Sequence, residues 1–348
     1  MKLNVKDISV NIPRGWDECS IKQLEIIAQV IIEEQFGCNS LHTFDWDNVR
    51  QRSFLLLADI RPIGSSEQGV KVEMPYDEDY QKSDILEIDA AELTKEINRT
   101  MKWMGMNDKD ELIPFALTIF PYSKMKIARY CKLPWLKHFL PKKSFHGAET
   151  LMQDYSWERY RWASDFMKAY LEISNEVLEL QGIITRRSLS DKDRRRAIDT
   201  LKKAMNDQDD MCAHFLSTCF TSRHYVKGKG LFPHRNYLWD SDSVDRNSRY
   251  FHHWNMTVRW QVILIWWQSM QPYLQSKYPK CFSIGKKKKG KEHDPNPLEL
   301  YTRTIATMEK YLGLGENDVN QQNFQIILQH INDMAMENDE IKKMKGKK

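Results

Sequence analysis

Residues Tyr250–Tyr278, YFHHWNMTVRWQVILIWWQSMQPYLQSKY, constrain the fold more than any other stretch of the chain. Four of the eleven tryptophans lie here: Trp254, Trp260, Trp266 and Trp267. Apolar residues recur at Phe251, Trp254, Val258, Val262 and Ile265, and again at Ile263, Trp266, Met270 and Leu274. These steps of three and four are helical spacing. Gln261, Gln268 and Gln275 share one narrow polar line. A helix apolar nearly all round belongs at the centre of a core. Arg259 falls on the apolar side, where its charge needs a carboxylate or a path to water. Pro272 removes a backbone donor, so a kink or restart is expected there. The longest uninterrupted apolar run is Val262–Trp267, far short of the roughly 20 residues that cross a bilayer. No membrane span is expected.

The chain has 348 residues, of which 41% are hydrophobic and 29% charged. That length fits one large domain or two, and the apolar content excludes global disorder. The net charge of +4 is small and is dominated by Lys286–Lys289 and the lysines after Ile341. The start, MKLNVKDISV, has no apolar h-region and is not read as a secretory signal. Six scattered cysteines (Cys19, Cys38, Cys131, Cys212, Cys219, Cys281) without C-x-x-C spacing read as buried free thiols of a reducing, cytoplasmic compartment.

Along the chain the signals predict a mainly α fold, an irregular multi-helix domain around the central aromatic-rich helix. Residues 2–12 alternate as a short strand. Ser20 and Gln23 form a capping box that opens a helix through Ile21, Leu24, Ile27 and Ile31 to Phe36. A second helix, about Asp47 to Ile60, should stop at Arg61-Pro62. Val70, Val72 and Met74, then Ile85–Ile88, predict a minor short-stranded β element in the N-terminal third. Asp89 and Glu92 cap a helix through Leu93, Ile97, Met101 and Met104. Leu112–Leu140, broken by Pro114, Pro121 and Pro134, is expected to be compact and irregular. Ser156–Leu180 is a long helix. Ser190 and Asp193 cap another, and a separate helix is expected over Met211–Cys219. Asn296, Pro297 and Gly313 bracket a helix using Leu298, Tyr301, Ile305, Met308 and Leu312. A last helix carries Phe324, Ile327, Leu328, Ile331 and Met334. The resulting division is 1–282 as the main helical body (with a sub-boundary near 105–150), 283–296 as a basic flexible linker, and 297–348 as a C-terminal helical hairpin with a basic tail.

A two-helix hairpin cannot bury both apolar faces alone and must dock on the body or on a partner. Its candidate partner-binding residues are Leu298, Tyr301, Ile305, Phe324, Ile327 and Ile331. Basic residues provide a second candidate set. Lys124, Lys126 and Arg129 (with Lys132 and Lys137) are interleaved with Tyr122, Tyr130 and Trp135, and Lys286, Lys287, Lys288 and Lys289 follow in the linker. Such mixing occurs on nucleic-acid surfaces and equally on ordinary amphipathic ones.

Metal and catalytic motifs are weak. Asp240, Asp242 and Asp245 with His252 and His253 fail as a calcium loop, because Val244 and Phe251 sit at ligand places. Cys212 and Cys219 are two helical turns apart, about 10 Å of rise, too far to share one zinc with His214 and His224. No G-x-S-x-G, P-loop, G-x-G-x-x-G or H-E-x-x-H occurs. No catalytic residue, metal or cofactor is assigned, and an enzyme with distributed residues stays an open alternative.

Pro13, Trp16, Ser20 and Gln23 in IPRGWDECSIKQLEIIAQVI resemble the Pro-x-x-Trp-x-Glu/Asp-x-Ser/Thr-x-x-Gln start of uncharacterised helical proteins encoded by phages and prophages of the Bacteroides group. The segment Phe145–Glu172 is similar to their middle helix and its lead-in, and the closing helical pair is compatible. The resemblance covers well under half of the chain. It implies a non-enzymatic role in virion morphogenesis, as a tail-assembly chaperone or minor structural component. The partner implied is a phage structural protein, in the cytoplasm of a bacterial host or on the virion. The resemblance transfers no catalytic residue.

Overall fold

The computed structural model describes residues 12–36, 44–66, 69–73, 85–104, 120–129, 140–186, 189–222, 239, 241–282 and 297–345. The protein is mainly α-helical, with two small antiparallel sheets. Its described residues form two compact units. One draws on Met1–Pro121 and Val258–Tyr273, the other on Tyr122–Thr257 and Leu274–Lys348.

In the first unit, the predicted capping box closes helix α1 (Ile21–Phe36). Ser20 N–H donates to Gln23 Oε1 at 2.9 Å, and Gln23 N–H donates back to Ser20 Oγ at 3.4 Å. Trp16 precedes the cap, is buried and meets Trp103 edge-on with centroids 5.1 Å apart. Helix α2 (Trp46–Leu57) is capped by Asp45, whose carboxylate accepts from Asp47 N–H at 2.9 Å. It ends before Asp59, which adopts a left-handed φ of 56°.

Pro62 therefore lies beyond the helix, in strand β1 (Arg61–Ser66). This strand pairs with β2 (Gly69–Glu73), which pairs with β3 (Ile85–Ile88). Proline tolerates only an edge strand or a bulge; β1 is an edge, and its register shifts between Pro62 and Gly64. Residues 2–11 of the predicted strand and Met74 lie outside the described residues. Asp89 caps helix α3 (Ala90–Thr100) by accepting from Ala91 and Glu92 N–H at 2.8 and 2.9 Å.

The second unit begins with a sheet that the sequence did not reveal. Strand β4 (Lys124–Ala128) pairs with β5 (Lys142–His146), and β5 pairs with the short β6 (Thr221–Ser222). The expected irregular segment thus contains a strand, while 130–139 lies outside the described residues. Helix α4 (Trp157–Ile184) and helix α5 (Asp191–Cys219) pack along each other. Helix α5 runs unbroken through the residues expected to hold two helices. Ser156 and Ser190 cap the pair. A short helix α6 (Asp242–Ser248) follows.

The central helix is shorter than its apolar spacing suggests. Tyr250–Tyr278 begins with turns, where His253 has a φ of 65°, and helix α7 starts at Val258 and runs to Lys277. Phe251 packs in the second unit against Phe220 and Phe145, with centroids 5.2 and 5.1 Å apart. Trp260, Val262–Trp267 and Met270 are buried in the first unit. There Val262 and Ile265 meet Trp16, Leu24 and Ala28 around an apolar crevice with no room for a water molecule. Arg259 is exposed, so its charge reaches solvent. Pro272 sits inside α7. Among the described residues, no helix is long and apolar enough to cross a membrane.

Among the described residues, four further helices belong to the second unit. These are α8 (Pro279–Phe282), α9 (Pro297–Leu312), α10 (Glu316–Gln321) and α11 (Phe324–Lys345). Gly313, at φ 67°, ends α9 as its sequence predicts.

Candidate functional site

Of the residues proposed from sequence as partner-binding, Ile305, Phe324 and Ile327 turn inward and Ile331 is partly buried. Ile305, Met308, Val319 and Ile327 form a buried cluster, with Trp157, Leu312, Leu314, Ile331 and Met334 packed against it. Phe324 is fully buried and stacks on Tyr160 with centroids 4.5 Å apart. Leu298 and Tyr301 lie on α9, and their side chains fall outside the described residues. Ile305, Phe324 and Ile327 are therefore core residues of this unit, and the surface α11 leaves open is a different one. Ile326, Met336, Ile341 and Met344 stay exposed on α11, as does Tyr311 on α9.

Backbone pairing locks α11 onto the start of α4. Trp157 N–H donates to Gln322 O at 2.7 Å, and Phe324 N–H to Tyr155 O at 3.1 Å. Asn323 Nδ2 donates to Gln153 O at 2.7 Å. At the other side, Lys280 N–H donates to Asn332 Oδ1 at 3.0 Å, and the Cys281 thiol to Leu328 O at 3.1 Å. These directional bonds fix the register that apolar packing alone would leave loose.

Arg159 organises this junction. Its side chain is 1% exposed and stacks over the Tyr155 ring, 4.0 Å from the centroid. Nε donates to Thr218 O at 2.7 Å, and Nη2 to Cys219 O at 3.2 Å. Nη1 pairs with Asp154 Oδ2 at 2.5 Å. Thr218 and Cys219 end α5, so their carbonyls have no partner within that helix. Arg159, reaching across from α4, caps them and places a cation at the negative end of α5. Burial alone would lower the guanidinium pKa, but Asp154 and Tyr155 beside it leave the net direction upward.

A polar cleft of about 180 Å³ opens at the same place, lined by Asp154, Tyr155, Trp239, Gln321 and Asn323 among others. That is room for about six waters at ~30 Å³ each. Asp154 is neutralised by Arg159, and the Ser156 hydroxyl is used as the α4 cap. Among the described residues lining it there is no imidazole, thiol or lysine. The cleft offers hydrogen bonds to a small polar group.

A second constellation gathers on α5. His252 Nδ1 lies 3.4 Å from both Asp209 Oδ2 and Asp210 Oδ1. Asp209 Oδ1 accepts from His253 N–H at 2.7 Å, and His214 Nε2 is 3.2 Å from Asp245 Oδ1. The histidines read from sequence beside Asp242 and Asp245 thus face α5 carboxylates instead. Among the described residues, no three His, Cys, Asp or Glu side chains converge as metal ligands would. The contacts pin α6 and the 249–253 turn to α5. Asp240 and His224 lie outside the described residues.

The described cysteines are free thiols: Cys212 and Cys219 are buried, Cys19 and Cys281 half-buried. Burial pushes the Cys19 and Cys219 pKa values up to about 12 and that of Cys281 up to about 11. Cys212 is also raised well above the ordinary range by burial. At about pH 8 the thiolate fraction of a group with a pKa near 12 is ~10⁻⁴. Iodoacetamide should therefore label these four positions in the native chain orders of magnitude more slowly than after denaturation, as mapped by peptide mass spectrometry. Fast native labelling of Cys212 or Cys219 would show that the α5 core opens readily.

Of the basic candidates, Lys124 and Lys126 lie on β4 and Arg129 just beyond it, all exposed. Lys286–Lys289 lie outside the described residues. Comparisons with protein-family models, curated proteins and solved structures give no significant match.

Proposed function

We propose that this chain acts without catalysis in the assembly of a phage or prophage particle, as a tail-assembly chaperone or minor structural component that works through protein–protein contacts. The resemblance at Pro13–Gln23 and Phe145–Glu172 supplies the context. The observation that carries the contact reading is the far half of the α4–α5 pair. Among the described residues from 171 to 205, only Val177 and Ala204 are buried. Leu171, Leu178 and Met205 stay 37%, 45% and 39% exposed. Two helices that pack only on each other leave apolar surface that a third layer normally covers. Leu171 and Leu178 are seven apart, hence on one face of α4. A partner helix laid along that face would bury both.

The test is affinity capture by the full chain from a Bacteroides-group host producing particles, followed by binding of the purified pair. The expected outcome is recovery of a structural particle protein, with affinity reduced at least about tenfold by Leu178→Asp. One buried leucine contributes ~1.5–3 kcal/mol, which allows a loss of that size. Recovery of no particle protein, or equal capture by wild type and variant, would remove the proposal.

A further inference from the structure

The chain segment that holds β4 and β5 is basic. Between Glu111 and Glu149 there is no aspartate or glutamate, yet there are seven lysines and arginines. A stretch of that length at the chain's average composition would hold about five acidic residues, so the segment is a basic block. The structure sorts its described cations onto two faces. In the antiparallel register Lys124 opposes His146, Lys126 opposes Ser144, and Ala128 opposes Lys142. Directly opposed residues point to the same side of a sheet. Lys124, Lys126, Lys142 and Ser144 are all exposed, and Arg129 extends the row.

The other side of the sheet is the core side. Phe145 and Ile127 are buried there. Lys143 also turns that way: its ammonium donates to Asn247 Oδ1 at 2.9 Å and lies 5.6 Å from the Phe145 and Tyr250 ring centroids. Lys143 is thus used structurally, whereas the outer lysines are not. Among the described residues, Lys124, Lys126, Arg129 and Lys142 form no ion pair.

We infer that this outer sheet face docks the phosphate backbone of a nucleic acid without reading its sequence. Three features select that partner. The cations have no acidic partner among the described residues and are set on two neighbouring strands of one sheet, with Lys124 and Lys126 ~6.8 Å apart along the strand. Among the described residues of 122–148 no large apolar side chain is exposed, so this described part of the face is polar and cationic, unlike the apolar centre of a protein interface. No described aromatic ring is exposed beside the lysines either; Tyr122 is buried. A row of exposed cations suits phosphates, which are contacted through charge and carry no sequence information.

Fluorescence anisotropy with a labelled duplex of about 20 base pairs, using the full chain, tests this. With four cations engaged, log K should fall against log salt with a slope of about −3 to −4. The variant Lys124→Gln, Lys126→Gln, Lys142→Gln should reduce that slope to about −1 and weaken binding ~100-fold or more at about 50 mM salt. These positions are exposed, and an unchanged melting temperature will confirm that the variant folds. A second variant with Lys286–Lys289 changed to glutamine should retain most of the binding. The proposal is overturned by absence of binding at low salt, or by a triple variant that binds like wild type. It is equally overturned if the three lysines drive tighter retention on phosphatidylglycerol vesicles than on DNA, which would assign the face to a lipid surface.

Discussion

Changing Arg159 to methionine should destabilise the second unit by about 3–5 kcal/mol, the range for removing one partner of a buried ion pair. The substitution keeps an unbranched chain of similar girth but removes every donor. It leaves the Thr218 and Cys219 carbonyls uncapped in the interior and Asp154 without its counter-charge. For a unit of this size each kcal/mol shifts the melting temperature by ~2–4 °C, so a fall of about 6–20 °C is expected by calorimetry. Arg159→Lys should recover little of it. One ammonium cannot serve two helix-end carbonyls and a carboxylate that the guanidinium fork reaches together. A melting temperature within about 2 °C of wild type for the methionine variant would show that the network contributes little net stability.

Trp266→Ala should be as damaging to the first unit, at about 3–5 kcal/mol for truncating a fully buried tryptophan. Trp266 is 0% exposed, meets Phe120 edge-on with centroids 4.7 Å apart and adjoins Trp267. Trp266→Phe should be far milder, within about 1.5 kcal/mol. The indole N–H is buried with no acceptor among the described residues. Removing it relieves a desolvated donor, which offsets part of the lost volume. If Trp266→Phe costs as much as Trp266→Ala, the indole nitrogen has an acceptor beyond the described residues. Hydrogen exchange should place the two losses separately: the Arg159 variant loosens the α4–α5 ends and the Trp266 variant loosens α1 and α7.

Local signals were the legible ones. Ser20, Asp89 and Ser190 cap helices where the sequence places them, and Gly313 ends one, because caps and stops act within a turn of the chain. Strands β4 and β5 were hidden. KMKIA and KKSFH are lysine-rich, and pairing between residues far apart leaves little local trace. The stripe Phe251, Trp254, Val258, Val262, Ile265 misled in another way. Its spacing is helical throughout, yet its first two residues serve one unit and its last two the other, with the left-handed His253 breaking the helix before it starts. Arg159 carried a usable signal that was overlooked. It lies in step with Ala163, Met167 and Tyr170 on the buried stripe of α4, which marks an arginine committed to the interior. The hairpin's inner residues were identified correctly as apolar, but whether such a face meets its own chain or a partner is decided by tertiary packing.

The interleaved make-up of the two units has a consequence for how the protein is made. Trp16, Leu24 and Ala28 are translated early, while Val262 and Ile265, which meet them, follow only after residues 122–257. At ~5–20 residues per second the ribosome takes on the order of ten seconds or more to supply them. Until then the apolar side of α1 has no lid. A nascent chain of this design depends on slow aggregation or on a holdase during that interval, and no contiguous fragment ending before residue 273 contains a finished first unit.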